Sequence, residues 1–196
     1  MNTARKLRGG YTYADYLRWD DDQRYELVDG SVYGMTPAPS RKHQEISMRL
    51  SFIIAGHLKG RRCKIFAAPF DVRLPEAGAR DEEIYTVVQP DIVVVCDPKK
   101  LDERGCLGSP DLVMEIASPS TAERDMKEKL SLYERHGVKE YWIVFPGEGD
   151  SMRLILVFNA VKSGGYGKPA VYGPSDTIKS KTLRGLSVSA SELFGL

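Results

Sequence analysis

Two short runs constrain this chain of 196 residues more than any other feature. Gln89-Pro90-Asp91-Ile92-Val93-Val94-Val95 and Asp111-Leu112-Val113-Met114-Glu115-Ile116-Ala117 are apolar over most consecutive positions, and Asp91 and Glu115 are the acids that stand out in them. Consecutive rather than alternating apolar residues mark a strand covered on both faces. A carboxylate in such a strand is unfavourable unless it is paired, hydrogen-bonded or bound to a cation. Two of them on neighbouring strands repel each other, and a divalent metal is the simplest neutralisation. All-oxygen ligation favours Mg²⁺ or Mn²⁺ over zinc.

The rest of the chain supplies the layers that such strands need. Thr12 caps a short helix carrying Tyr13, Tyr16 and Leu17, which stops near Asp20–Asp22. Tyr25–Val28 and Ser31–Met35 read as a hairpin turned at Asp29-Gly30. In the segment Ser40–Lys59, Ile46, Leu50, Ile53, Ile54 and Leu58 make one helical stripe. Lys64–Leu74 is a candidate strand in which Pro69 argues for an edge or a bulge. Gly78–Ile84 reads as a loop, Val87–Cys96 as one strand and Asp97–Pro110 as a polar connection. A helix runs from Thr121 to about His136, where Gly137 ends it. Glu140–Phe145 and Arg153–Asn159 are further strands, with Gly147–Asp150 between them. The tail from Ser163 yields only a last helical turn at Ser191–Phe194. The expected class is α/β (α+β): a mixed central β-sheet flanked by helices, with residues 1–10 as a lead-in and 11–196 as one domain.

Charge and cysteine content narrow the function classes. The 28 basic and 27 acidic residues leave a net charge of +1, which excludes a histone-like coat and an acidic tail protein. A nucleic-acid enzyme stays open, since it needs positive charge only at its cleft. The longest aliphatic run, Ile92–Val95, is far below the ~18 residues of a membrane span. No apolar stretch follows the charged start, so a secretory signal is not expected. Cys63, Cys96 and Cys106 are odd in number and lack a Cys-x-x-Cys pair, which argues against a disulfide framework and a thiolate zinc site. A soluble, cytoplasmic protein is expected.

A third element joins the two acids. Asp125, Lys129 and Tyr133 are spaced i, i+4, i+8 and share a helix face. Beside the acidic strands, Lys129 would reach the same cleft and could orient a water.

Pro90-Asp91, Glu115 and Lys129 in this order resemble the PD-(D/E)xK nuclease superfamily. More narrowly, the chain resembles a bacterial restriction-endonuclease family first catalogued as a domain of unknown function. The likeness includes Tyr25–Gly30, His43, Val88–Val95, Glu115–Thr121, Asp125-x-x-x-Lys129-x-x-x-Tyr133 and Gly137–Val144, and covers residues 11–146. It implies a restriction-endonuclease-like core and DNA as the partner. Asp91, Glu115 and the Ile116 carbonyl would hold the metal, with Glu26 as a further carboxylate. The superfamily's lysine normally stands two residues after the second acid, where this chain has Ala117. Lys129 on the next helix is then the candidate, with Lys127 as its competitor. The resemblance also makes a homodimer plausible.

Each residue has a plainer reading. Asp91 after a proline could cap a turn, Lys129 could be a solvated partner of Asp125, and Glu26 could close a hairpin contact. Asp125 suits the helix dipole, Tyr133 suits packing or hydrogen-bond donation, and His43, which could approach a substrate phosphate, could instead stand exposed or cap its helix. The run Lys59-Gly60-Arg61-Arg62-Cys63-Lys64 could grip a phosphate backbone or be a solvated turn. The rival to an endonuclease is a non-catalytic module on the same fold, binding nucleic acid or a partner.

Overall fold

The computed structural model describes residues 10–20, 23–35, 38–76, 80–147 and 152–196. Helix α1 (Tyr13–Tyr16) is capped by Thr12 through a reciprocal box with Asp15. The hairpin follows as β1 (Tyr25–Val28) and β2 (Ser31–Gly34), turned at Asp29 and Gly30, which both have positive φ. Helix α2 (Arg41–Leu58) starts at Ser40, whose side chain accepts from the His43 N–H. Next come β3 (Lys64–Ala67), β4 (Val72–Arg73), β5 (Val87–Val88), β6 (Ile92–Val95), β7 (Leu101–Asp102), β8 (Gly105–Leu107) and β9 (Leu112–Ile116). Helix α3 has three consecutive parts: Ala122–Arg124, a π turn at Asp125–Lys129, and Leu130–Arg135. The remainder is β10 (Glu140–Phe145), β11 (Leu154–Asn159), β12 (Ala170–Tyr172), β13 (Thr177–Lys179), β14 (Ser187–Ser189) and α4 (Ala190–Phe194).

The strands form two six-stranded sheets, β2-β1-β5-β4-β8-β7 and β12-β11-β10-β9-β6-β3, plus the hairpin β13–β14. Both large sheets are mixed, with β9–β10 and β4–β8 parallel among antiparallel neighbours. Mixed sheets and flanking helices agree with the expected class, but two of the expected strands are each split. Lys64–Leu74 divides at Pro69 into β3 and β4, and Val87–Cys96 divides at Pro90 into β5 and β6. Each pair then belongs to different sheets. Proline has no N–H to donate to a ladder, so both chains leave one sheet for the other at these points. The crossings are tied side by side by the Ala68 N–H donating to the Asp91 carbonyl. The region expected as a polar connection, Asp97–Pro110, carries the hairpin β7–β8 instead.

The continuous apolar runs are covered on both faces. Ile92, Val94, Leu112, Met114 and Ile116 pack with α2 and α4 in one core. Val93, Val95, Val113, Tyr141 and Ile143 pack with Leu132 and Tyr133 of α3 in a second. The tail is anchored through Glu140, fully buried at the start of β10. Its carboxylate accepts from Trp142 Nε1, Ser180 Oγ and the Thr182 N–H at 2.7, 2.9 and 2.7 Å.

Cysteine pairing departs from expectation: Cys63 and Cys96 are joined in a disulfide, and Cys106 is free and buried. The register pairs Lys64 with Val95, so the residues just beyond the ladder's end face each other. An odd cysteine count carries no information about such a cross-strand approach. No helix among the described residues is long and apolar enough to cross a membrane.

Candidate active site

The two sheets separate where Pro69 and Pro90 redirect the chain, and a cleft of about 600 Å³ opens there. Its lining includes Glu26, His43, Asp91, Glu115, Arg124 and Lys129. Asp91 stands just before β6. The pairing of Ile92 with Met114 sets it against the end of β9. Its Oδ2 accepts the Ile116 N–H at 2.7 Å and lies 3.1 Å from His43 Nε2. His43 thus reaches the cleft instead of standing exposed, and its Nδ1 is buried without a hydrogen bond.

Glu115 is 4% exposed, and its Oε1 accepts from Lys129 Nζ at 2.8 Å and Tyr133 OH at 2.9 Å. Glu26, on β1, is 1% exposed, with both oxygens engaged. Oε1 accepts the Gln89 N–H at 2.9 Å and lies 3.2 Å from Lys129 Nζ. Oε2 pairs with Arg124 Nη1 at 2.7 Å. Asp125 is 3.9 Å from Lys129 Nζ. Lys129 therefore faces three carboxylates from three elements. Lys127 points away and pairs with Glu123 on the surface.

The π turn explains how one helix serves this cluster. Its wider loop keeps Asp125 and Lys129 both buried on the inner side, with Tyr133 beyond them. Tyr141 OH donates to the Asp125 carbonyl at 3.1 Å, supplying a partner inside the turn.

The charges in the cleft do not balance. Glu26, Asp91, Glu115 and Asp125 line one cleft with three permanent cations among the described residues, Lys129, Arg124 and Arg24. Burial, aided by Asp125, Asp91 and Glu26, pushes the Glu115 carboxyl up to about 8 against the pull of Lys129. Burial likewise raises Asp125. For Lys129 burial acts downward, but Glu115, Glu26 and Asp125 outweigh it and hold the ammonium well above the ordinary lysine range. Glu26 is also desolvated, yet Lys129 and Arg124 bring it below its ordinary value.

The cluster is short of positive charge, and its donors suit a hard cation. The hydrogen bonds above engage Asp91 through Oδ2 and Glu115 through Oε1, and both residues line the cleft. The Ile116 carbonyl leaves its strand on the same side as the N–H that Asp91 accepts. No group of three His, Cys, Asp or Glu side chains among the described residues is arranged around a common point. Mg²⁺ commonly needs only one or two carboxylates beside waters and substrate phosphates, so two carboxylates and a carbonyl fit it.

Sequence reasoning missed three contributors. Arg124 lies 4.1 Å over the Tyr33 ring as well as on Glu26, and its Nη2 is buried without a hydrogen bond. Gln89 accepts from Arg24 Nε and Nη2 and donates to Asp71 Oδ1 and Tyr16 OH. Arg24 lines the same cleft. Only the position of Gln89 beside Pro90-Asp91 hinted at any of them. The basic run Lys59–Lys64 lies past the far end of α2, about 27 Å along the helix from the His43 end. There Arg61 donates to the Arg184 carbonyl and Arg62 pairs with Asp97.

Comparison with known proteins bears on the family and the fold. The chain is 32% identical over 132 residues to "Uncharacterized protein slr1290" of Synechocystis sp. (strain ATCC 27184 / PCC 6803 / Kazusa), a match covering 66% of this chain and 65% of the relative. The chain thus spans just under two thirds of that relative's length. Its fold is similar to a crystal structure described as "a putative nuclease belonging to DUF820 from Anabaena variabilis ATCC 29413", with a TM-score of 0.71 at 20% identity, covering 94% of this chain and 98% of that one. Residues 13–191 match a family model described as "Putative restriction endonuclease", and the chain belongs to that family, Uma2.

Proposed function

We propose that the protein is a metal-dependent endonuclease that hydrolyses DNA phosphodiester bonds. The observation that carries this reading is the gathering of four carboxylates from β1, the β5–β6 crossing, β9 and α3 in one cleft, where the permanent cations among the described lining residues are Lys129, Arg124 and Arg24. Asp91, Glu115 and the Ile116 carbonyl would hold Mg²⁺ or Mn²⁺. When bound, the ion polarises the phosphodiester and offsets the charge that develops on it.

The protein's own groups then have distinct tasks. The Ile116 N–H and His43 hold Asp91 Oδ2, which leaves Oδ1 toward the cleft. Lys129 stays charged and therefore acts as a donor, orienting the attacking water or a phosphate oxygen rather than taking its proton. Water adds to phosphorus, a P–O bond to the sugar breaks, and the leaving oxygen is protonated from solvent. Glu26 acts through its neighbours: with both oxygens engaged, it holds Lys129 and Arg124 rather than the ion.

A cleavage assay on supercoiled plasmid with Mn²⁺, beside EDTA and Glu115→Ala, tests the reading. Nicking that needs both the metal and Glu115 is expected, and no cleavage under any metal would overturn it. One observation favours the non-catalytic alternative: Glu115 already has Lys129 and Tyr133 as partners, so the cluster holds together without an ion. A rise in melting temperature on adding Mg²⁺ or Mn²⁺ separates the two.

A further inference from the structure

Helix α2 buries Ile46, Leu50, Ile54 and Leu58, and its opposite face has no cover among the described residues. Phe52 is 82% exposed there and Met48 67%. Arg41, Glu45, Ala55, Gly56 and Lys59 lie on the same arc at 100° per residue. Large apolar side chains placed i, i+4 in full solvent contact are a recognised mark of an interaction surface. Gly56 adds a second signal. Its backbone is helical, and a Cβ added there would meet nothing within 4 Å. The monomer gives no reason for a glycine that weakens the helix relative to alanine.

We infer that this face of α2 pairs with the same face of a second copy, antiparallel about a two-fold axis through Phe52. The face is complementary to itself in that arrangement. Helical side chains lean toward their own N-terminus. Phe52 of one copy therefore leans over the C-terminal half of the other α2, onto Ala55 and Gly56, the smallest residues of the arc. Met48 of each copy meets Ala55 of the other from the same side. Glu45 and Lys59 lie seven residues either side of Phe52, so each acid meets a lysine across the axis, twice. Two copies of an interface related by a two-fold axis must match in this way, knob to hole and charge to countercharge. A parallel pairing would set like charges level, Glu45 on Glu45 and Lys59 on Lys59.

The pairing leaves both clefts open. His43, Gln44 and Ser47 line the cleft from the first turns of α2, nearly at the opposite helix end from Lys59. An antiparallel pair thus carries its two clefts at opposite ends of the shared contact. A face about 27 Å long and about 10 Å wide is smaller than the interfaces of stable complexes, so the pairing is weak and monomer and dimer should exchange with concentration.

Sedimentation velocity on the full chain from about 1 to about 200 μM tests this, since it brackets a micromolar Kd. The readout is mass, independent of whether the cleft cuts DNA. The native chain should show a concentration-dependent dimer and Phe52→Glu a monomer throughout, with unchanged circular dichroism because Phe52 is exposed. Glu45→Lys and Lys59→Glu should each weaken the dimer about tenfold, and the double swap should restore it. Phe52→Cys, on the axis, should cross-link to its mate on oxidation. A native chain that stays monomeric, a dimer indifferent to Phe52→Glu, or a double swap no stronger than either single change overturns the inference.

Discussion

Lys129 Nζ stands 2.8 Å from Glu115 Oε1, and both side chains are almost wholly buried, 7% and 6% exposed. An ion pair this deep is costly to leave half-made, because removing one partner strands a buried charge. It also fixes the ammonium toward the cleft, where Glu26 and Asp125 complete its surroundings.

Lys129→Met should therefore act on both stability and chemistry. Losing the cation leaves Glu115, Glu26 and Asp125 facing one another, and a loss of about 3 kcal/mol or more is expected in urea unfolding. Cleavage should fall at least about 100-fold, the scale of losing one preorganised donor at the reacting phosphate. Lys127→Met, on an exposed surface pair, should leave both close to native. Equal effects from the two lysines would contradict the assignment.

Metal addition should distinguish Asp91 from Glu26. Mn²⁺ or Mg²⁺ should raise the melting temperature of the native chain but not that of Asp91→Ala. Glu26→Gln should keep a metal-induced shift while losing activity, since Glu26 acts through Lys129 and Arg124. Calorimetric scans with and without metal, beside plasmid cleavage, read both outcomes.

Arg124 and Glu26 should behave as one unit. Either residue replaced by Ala leaves the other buried and unpaired, so the two single losses in stability should exceed what the double variant shows when summed. The coupling should be about 1–3 kcal/mol in a double-mutant cycle. Arg124→Lys should recover only part of the loss, because an ammonium lacks the planar face that lies over Tyr33.

The Cys63–Cys96 bond closes a loop of 33 residues in sequence. By chain entropy alone its loss should lower stability by about 3–4 kcal/mol. Cys63→Ser with Cys96→Ser, compared with the native chain in denaturant, measures it. Cys106→Ser, a buried free thiol, reports on packing instead.

The two-sided burial of β6 and β9 was legible because it depends on local composition: Ile92–Val95 and Leu112–Ile116 leave no polar face. The same applies to α2, whose stripe Ile46, Leu50, Ile54 and Leu58 is the buried set. Sheet membership was not legible, since Pro69 and Pro90 mark where a ladder must break but not where the chain goes next. Asp91, Glu115 and Lys129 were visible as chemistry out of place or matching a known pattern. Arg124 was hidden because an arginine in the first turn of a surface-facing helix is unremarkable, and its role arises only when β1 and β2 bring Glu26 and Tyr33 beneath it. The tail stayed opaque for a similar reason: its anchor, Glu140, belongs to a different strand.

The π turn at Asp125–Lys129 gives α3 two phases. Upstream, Arg124 is in step with the hairpin through Glu26 and Tyr33. Downstream, Tyr133 is in step with β9 and β10 through Glu115 and Tyr141. A uniform α-helix keeps one angular setting along its length and could satisfy only one of these neighbours. The helix thus works as a coupling between the two sheets, and shortening the turn by one residue would leave each half folded but out of alignment with the other.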